Sequence, residues 1–134
     1  MTLNPADDTF AAHLRDLLPE DVLRPPEPRY LEEPRGRYHG QGGLLALPRN
    51  VDDVSRLVCA ANHANVGVVP YGGGTGVVAG QLSIDSENAI ILSLEKMDKI
   101  RHISTDDSII VAEAGCVLEN VHNIANEHGM IFPL

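Results

Sequence analysis

Between positions 68 and 76 the chain reads Val68-Val69-Pro70-Tyr71-Gly72-Gly73-Gly74-Thr75-Gly76. Four of its last five residues are glycine, and they follow directly on a short β-branched run. Packing does not call for this, because glycine loses more conformational freedom on ordering than any other residue. What glycine offers is a reachable φ > 0 and close backbone approach. Consecutive N–H groups in such a turn form a concavity for an anion such as phosphate. Pro70 stiffens the approach with its fixed φ, and Thr75 adds a hydroxyl donor. The run predicts a strand that ends in a pyrophosphate-binding turn.

Two common phosphate loops do not fit. A Walker loop needs a Gly-Lys-Ser/Thr step so that lysine reaches the terminal phosphates, and the first lysine of this chain is Lys96. A dinucleotide fingerprint is closer, since Gly74-Thr75-Gly76-Val77-Val78-Ala79 matches G-x-G-x-x-A and Glu95 falls near the place of a ribose-binding acid. That motif must open a helix. Only twelve residues separate Gly76 from Ala89, and they include Gly80 and the turn-forming Asp85-Ser86-Glu87-Asn88. A crossover helix does not fit there.

The flanking sequence predicts alternating elements. Asn4-Pro5-Ala6-Asp7-Asp8 reads as a helix start capped by Asn4. Phe10, Leu14, Leu17 and Leu18 supply its apolar stripe, and Pro19 stops it. Residues 19–43, rich in Pro, Arg and Gly and without a period, predict an arm crossing the surface. Residues 44–47 are apolar and predict a buried strand. Asn50 with Asp53 forms a weak capping box. The helix it opens would bury Val51, Val54, Leu57, Val58 and Ala61 and end at Gly67. Strands follow at 66–70 and 89–94, then a hairpin of 100–104 and 109–114 turning on Thr105-Asp106-Asp107-Ser108. Gly115 breaks the chain. Leu118, Val121, Ile124 and Ala125 mark a last helix ended by Gly129, and Met130-Ile131-Phe132 reads as a new strand. The pattern is α/β: a small mixed sheet flanked by helices. It divides into an N-terminal helix and arm, 1–43, and a subdomain, 44–134.

Bulk properties narrow the partners. The 134 residues suit one domain, and the formal net charge is −9 with scattered Lys and Arg. Nucleic acid and anionic membranes want a basic stripe instead. No apolar run reaches the roughly 20 residues of a membrane span, and the N-terminus lacks the pattern of a signal peptide. Cys59 and Cys116, read as buried free thiols, fit the cytoplasm, with the inner face of a membrane as a peripheral location. The apolar ending Ile131-Phe132-Pro133-Leu134 predicts a piece of a longer protein.

Five segments together resemble one family. They are the 47–54 stretch beginning Leu47-Pro48-Arg49-Asn50; the glycine run extended through Val77-Val78-Ala79-Gly80-Gln81; Ile91-Leu92-Ser93-Leu94-Glu95-Lys96-Met97-Asp98-Lys99-Ile100; Val111-Ala112-Glu113-Ala114-Gly115 with Leu118; and Gly129-Met130-Ile131-Phe132-Pro133. In this order they resemble the N-terminal part of the PCMH-type FAD-binding domain of FAD-linked 2-hydroxyacid dehydrogenases, such as D-lactate and D-2-hydroxyglutarate dehydrogenases and the glycolate oxidase flavin subunit, within the vanillyl-alcohol oxidase superfamily. The resemblance covers about residues 27–134. It implies that Pro70, Tyr71, Gly72, Gly73, Gly74, Thr75 and Gly76 cradle the FAD pyrophosphate, with Gly80, Gln81, Gly115 and Pro133 near the cofactor. No histidine follows the glycine run, so the implied FAD is non-covalent. Tyr71 and Ala114 depart from the residues frequent in the family at those places.

The resemblance implies an oxidoreductase that oxidises a small 2-hydroxyacid, with the catalytic residues outside this chain. The alternatives are a nucleotide-binding module inactive alone, a related flavoenzyme acting on an alditol or sugar nucleotide, and a scaffold without flavin. The electron acceptor is left open, and an exposed apolar edge allows a homo-oligomer. Other residues have plainer readings. The six histidines lack metal spacing. Asp106 and Asp107 read as turn formers, Arg35 and Arg37 as a solvated arm, and Tyr30 and Tyr38 as packing anchors. Cys116 reads as a core filler more readily than as a flavin contact.

Overall fold

The computed structural model describes residues 3–84 and 89–134; the predicted turn at 85–88 lies outside them. Ten-residue helix α1 (Asp8–Leu17) comes first. Strand β1 (Leu23–Arg24) and a single 3-10 turn (Pro28–Tyr30) follow within the arm. Then come β2 (Leu44–Ala46), α2 (Val51–Ala64), β3 (Val68–Tyr71) and β4 (Ile90–Ser93). The hairpin β5 (Ile100–Ser104) and β6 (Ile109–Ala112) leads to α3 (Leu118–Glu127).

The main sheet has the order β1-β2-β4-β3. Strand β4 lies parallel between β2 and β3, with Leu44 opposite Ile90 and Val68 opposite Ile90 on the other side. Strand β1 adds antiparallel to β2, so the sheet is mixed as expected. Every residue of β2 and β4 is buried, the signature of strands covered on both faces. Alternation then divides the core. Leu44, Ala46, Ile90 and Leu92 point toward α1 and α2, where they meet Phe10, Leu14, Leu57 and Ala61. Leu45, Leu47 and Ile91 point the other way, onto Tyr30 and Tyr71. The arm is thus the cover of the second face, with Tyr30 fully buried. The two-residue strand β1 inside it carries no sequence period long enough to detect.

Several local expectations shift. Asp7, not Asn4, caps α1 by accepting from the Phe10 N–H. Asn4 is engaged elsewhere: its N–H donates to the Asn65 carbonyl and its side chain to that of Ala64. Asn50 caps α2 as read, accepting from the Asp53 N–H. That helix ends at Asn65 in the left-handed region (φ 54°), two residues before Gly67. Its buried stripe is Asp53, Leu57, Ala60 and Ala61, whereas Val51 and Val58 are exposed. On α2 Cys59 lies outside that stripe and is exposed, and Cys116 is half-buried; neither is the buried thiol expected. Tyr38 is exposed and anchors no core. The hairpin turns at 105–108 with Ser108 at φ 55°. Residues 130–134 form no strand, and Ile131 is 86% exposed. Among the described residues no helix is long and apolar enough to cross a membrane.

Candidate functional site

Strand β3 is an edge of the sheet, which is why Pro70 can sit in it: an edge position does not need every ladder N–H. The next residue, Tyr71, turns onto the arm-covered face. Its ring meets Tyr30 edge-on, with centroids 4.9 Å apart, and its hydroxyl donates to the Arg29 carbonyl at 3.0 Å. Its own carbonyl accepts from the Leu94 N–H. The chain therefore leaves the carboxyl end of a parallel strand from a fixed point. Ligands of open parallel sheets bind outside such strand ends.

The loop that follows has three distinct sides. Underneath lies Tyr71. Gly74 has φ +69°, and a Cβ there would stand 2.0 Å from the Tyr71 hydroxyl oxygen, so only glycine closes over the phenol. On the carbonyl side lies Gln81. Its Nε2 donates to the Gly76 carbonyl at 2.6 Å and reaches that of Gly74 at 3.4 Å. The third side is open. A Cβ on Gly72 or Gly80 would meet nothing within 4 Å, and one on Gly73 only the Thr75 methyl at 3.8 Å. Among the described residues, none accepts a hydrogen bond from the backbone N–H groups of 73–78. Those positions are largely exposed, with Val78 at 84%. With carbonyls held on one side and N–H groups free, the loop offers fixed positive partial charge to an anion. There is no helix between β3 and β4 among the described residues, which agrees with setting aside the dinucleotide fingerprint.

A charged cluster lies beside Tyr71, formed by the arm and Glu95. The Tyr30 hydroxyl donates to Glu95 Oε2 at 2.8 Å. The Arg29 guanidinium pairs with Glu95 at 3.1 Å, donates to the Tyr30 hydroxyl, and stacks over the Tyr30 ring. Burial pushes the Tyr30 hydroxyl up to about 12, with Glu95 adding to the rise. Burial opposes ionisation of Glu95, but the Tyr30 hydroxyl and the Arg29 charge outweigh it and hold the carboxyl below its ordinary value. Glu95, placed by sequence near a ribose-binding position, is thus committed to the arm.

Of the residues singled out, Pro70, Tyr71, Gly72, Gly73, Gly74, Thr75, Gly76, Gly80 and Gln81 gather in this loop. Gly115 packs on Leu94, the residue whose N–H bonds the Tyr71 carbonyl: a Cβ on Gly115 would stand 1.8 Å from the Leu94 carbonyl oxygen. Close backbone packing alone accounts for that glycine. Pro133 is elsewhere, in the tail beside His122. No described hydrogen bond joins that tail to the loop. Three of the six histidines serve carbonyls: His63 Nδ1 meets that of Cys59, His128 Nδ1 that of Ile124, and His122 Nε2 that of Leu134. Asp107 accepts from the Ser104 hydroxyl within the hairpin turn. Tyr30 is the packing anchor expected of it, fully buried; its ties to Arg29 and Glu95 have no signal in the sequence beyond an Arg-Tyr pair next to proline.

A family profile described as "FAD binding domain" matches residues 43–134. A probable mitochondrial D-2-hydroxyglutarate dehydrogenase of Oryza sativa subsp. indica is 40% identical over 99 residues, covering 74% of this chain and 17% of that protein. A D-2-hydroxyglutarate–pyruvate transhydrogenase of Saccharomyces cerevisiae is 32% identical over 133 residues, covering 96% of this chain and 26% of that protein. The chain thus spans about a quarter or less of these curated relatives. Among solved structures, an alkyldihydroxyacetonephosphate synthase superposes with a TM-score of 0.77 at 19% identity, over 96% of this chain and 29% of that one. A 4-ethylphenol oxidase from Gulosibacter chungangensis gives 0.73 at 17%, over 96% and 27%. At these identities the likeness shows the fold.

Proposed function

The chain belongs to the FAD-binding domain family, and from that premise we propose that the 72–81 loop holds the FAD pyrophosphate in an oxidoreductase acting on a small 2-hydroxyacid. The observation that carries the loop assignment is the run of N–H groups at 73–78 without acceptors among the described residues. The donor set fits the group. Gly72, Gly73 and Gly80 leave room where side chains would stand, and Thr75 brings a hydroxyl to the same exposed turn. Pro70 and Tyr71 fix where the loop begins, and Gln81 holds its carbonyls away from the anion. Gly115 supports the base, and Pro133 is assigned to a more distant cofactor contact on the resemblance alone. Residues 72–81 contain no His, Cys or Tyr to attach a flavin, so the reading is non-covalent FAD. When bound, FAD supplies the acceptor for two-electron oxidation of the substrate.

The substrate reading rests on relatives named for D-2-hydroxyglutarate and D-lactate. D-2-hydroxyglutarate is the first candidate, with glycolate and D-lactate behind it. Residues 1–43 act as the helix and arm that complete the subdomain of 44–134. Two free thiols fit a reducing compartment, with the cytoplasm as our assignment.

The test is a visible absorbance spectrum of the purified full-length protein before and after D-2-hydroxyglutarate, D-lactate and glycolate in turn. A flavin band that bleaches with one of them supports cofactor and reaction together and names the substrate. A band indifferent to all three removes the hydroxyacid reading. A colourless protein that FAD cannot reconstitute removes the cradle as well.

A further inference from the structure

Among the described residues, no backbone hydrogen bond joins two residues of the 72–81 loop, and the Gln81 side chain clasps its carbonyls. A second constraint lies beneath it. That is the Tyr71 phenol, whose oxygen occupies the space a Gly74 side chain would need. Two contacts hold the phenol. Its hydroxyl donates to the Arg29 carbonyl, and its ring leans on Tyr30. Tyr30 is fully buried and donates to Glu95. Glu95 follows β4 at the same end of the sheet, and its carboxylate draws the Arg29 side chain onto the Tyr30 ring. Glu27 also pairs with Arg29 at 3.4 Å, and Lys96 lies 3.9 Å from Glu95. The arm, β3 and the turn after β4 are therefore tied at one point under the loop. None of Arg29, Tyr30 or Glu95 lies in the 72–81 loop.

We propose that Arg29, Tyr30 and Glu95 are positioning residues for the cofactor loop, acting through Tyr71 rather than by touching the cofactor. The proposal rests on the reading of 72–78 as the pyrophosphate cradle. Its physical content is preorganisation. A loop held in its binding shape before the ligand arrives loses less freedom on binding, and the gain appears as slower release.

The test uses full-length, FAD-loaded protein and compares Tyr30→Phe, Glu95→Gln, Tyr38→Phe and Gly73→Val. FAD release is followed by flavin fluorescence at a temperature well below melting, and apoprotein Tm is recorded beside it. Tyr30→Phe keeps the buried ring and removes only the hydroxyl. Part of a lost hydrogen bond to a charged group is passed on to the loop, and release about five- to tenfold faster is expected. Glu95→Gln keeps an acceptor for Tyr30 but drops the charge facing Arg29, and a smaller change is expected, roughly two- to threefold. Exposed Tyr38→Phe should match wild type. If Tyr30→Phe lowers Tm but releases FAD at the wild-type rate, the cluster is structural and the proposal is overturned while the cradle stands. If Gly73→Val holds FAD as tightly as wild type, the cradle reading fails and the proposal fails with it.

Discussion

Two turns of this molecule gather backbone N–H groups around a glycine at positive φ, and they treat those groups in opposite ways. In the arm, Gly36 has φ +63°, and the turn around it is organised by Glu33, only 1% exposed. One carboxylate oxygen accepts from the Arg35 N–H at 2.9 Å and the other from the Arg37 N–H at 2.6 Å. The chain has supplied its own anion. After β3, Gly74 has φ +69°, and the N–H groups of 73–78 find no acceptor among the described residues. The first turn is complete without a ligand; the second has room for one. A glycine at positive φ does not by itself mark a binding site, and the question that separates the two turns is where the N–H groups go. The same comparison explains why Arg35 and Arg37 are held through their backbone.

The largest effect should come from filling the open turn. Gly73 has an ordinary φ, and a Cβ there meets nothing closer than 3.8 Å. Gly73→Val should therefore leave apoprotein Tm nearly unchanged while taking the space the anion needs. Losing two charge-assisted hydrogen bonds, at about 1.5–3 kcal/mol each, predicts FAD affinity lower by roughly two orders of magnitude or more. Gly74→Ala is the contrasting case. It meets the Tyr71 oxygen and adds left-handed strain of about 1–2 kcal/mol, so Tm should fall along with affinity. Titration of apoprotein with FAD, beside thermal melts, separates the two. If Gly73→Val and Gly74→Ala behave alike, the contrast between open space and occupied space is wrong.

Next in size is Gln81→Glu. Here a carboxylate would face the Gly74 and Gly76 carbonyls that Nε2 now holds. Like partial charges would push the loop out of shape and place negative charge beside the anion. Affinity lower by about ten- to a hundredfold is expected from the lost and reversed hydrogen bonds. Gln81→Met, close in volume but without donor or charge, should fall between wild type and Gln81→Glu. Wild-type affinity in Gln81→Glu would mean that the clasp does not shape the cradle.

The open turn was legible in the sequence, whereas its support was not. Glycines in a row after a β-branched strand leave few conformations, and the buried strands β2 and β4 stand out as apolar runs, with only Ser93 at the end of β4 polar. The supports are pairings across long separations: Tyr30 and Glu95 are 65 positions apart, and Tyr71 and Arg29 are 42 apart. No local period encodes such pairs. The start of α1 and the end of α2 differ from expectation for a similar reason. Asn4 looks like a cap until the structure gives its donors to Ala64 and Asn65. Asn65 then takes the left-handed position that Gly67 seemed made for. On α2 Leu57 and Ala61 are buried and Val54 packs against the core as expected, but Val51 and Val58 lie outside the face that meets α1 and the sheet. Tertiary packing chose between faces that composition left comparable.

The smallest effect should come from the closed turn, and it should appear in stability rather than binding. The N–H groups of Arg35 and then Arg37 and Tyr38 hold the Glu33 carboxyl below its ordinary value, outweighing burial, which acts the other way. A carboxylate depressed in the folded state adds stability above its unfolded pKa and loses it as pH falls through the folded one. Glu33→Gln should lower Tm at neutral pH while leaving the FAD release rate unchanged. On acidification the wild type should lose its advantage, and the two Tm curves should converge once Glu33 is protonated. Glu95 and Glu113 also have lowered values, but they are present in both proteins and cancel in the difference. A Tm gap that stays constant down to low pH would show that Glu33 acts by shape rather than charge. A change in FAD release would show that the arm's closed turn and the open loop are coupled, which the separation of their hydrogen bonds argues against.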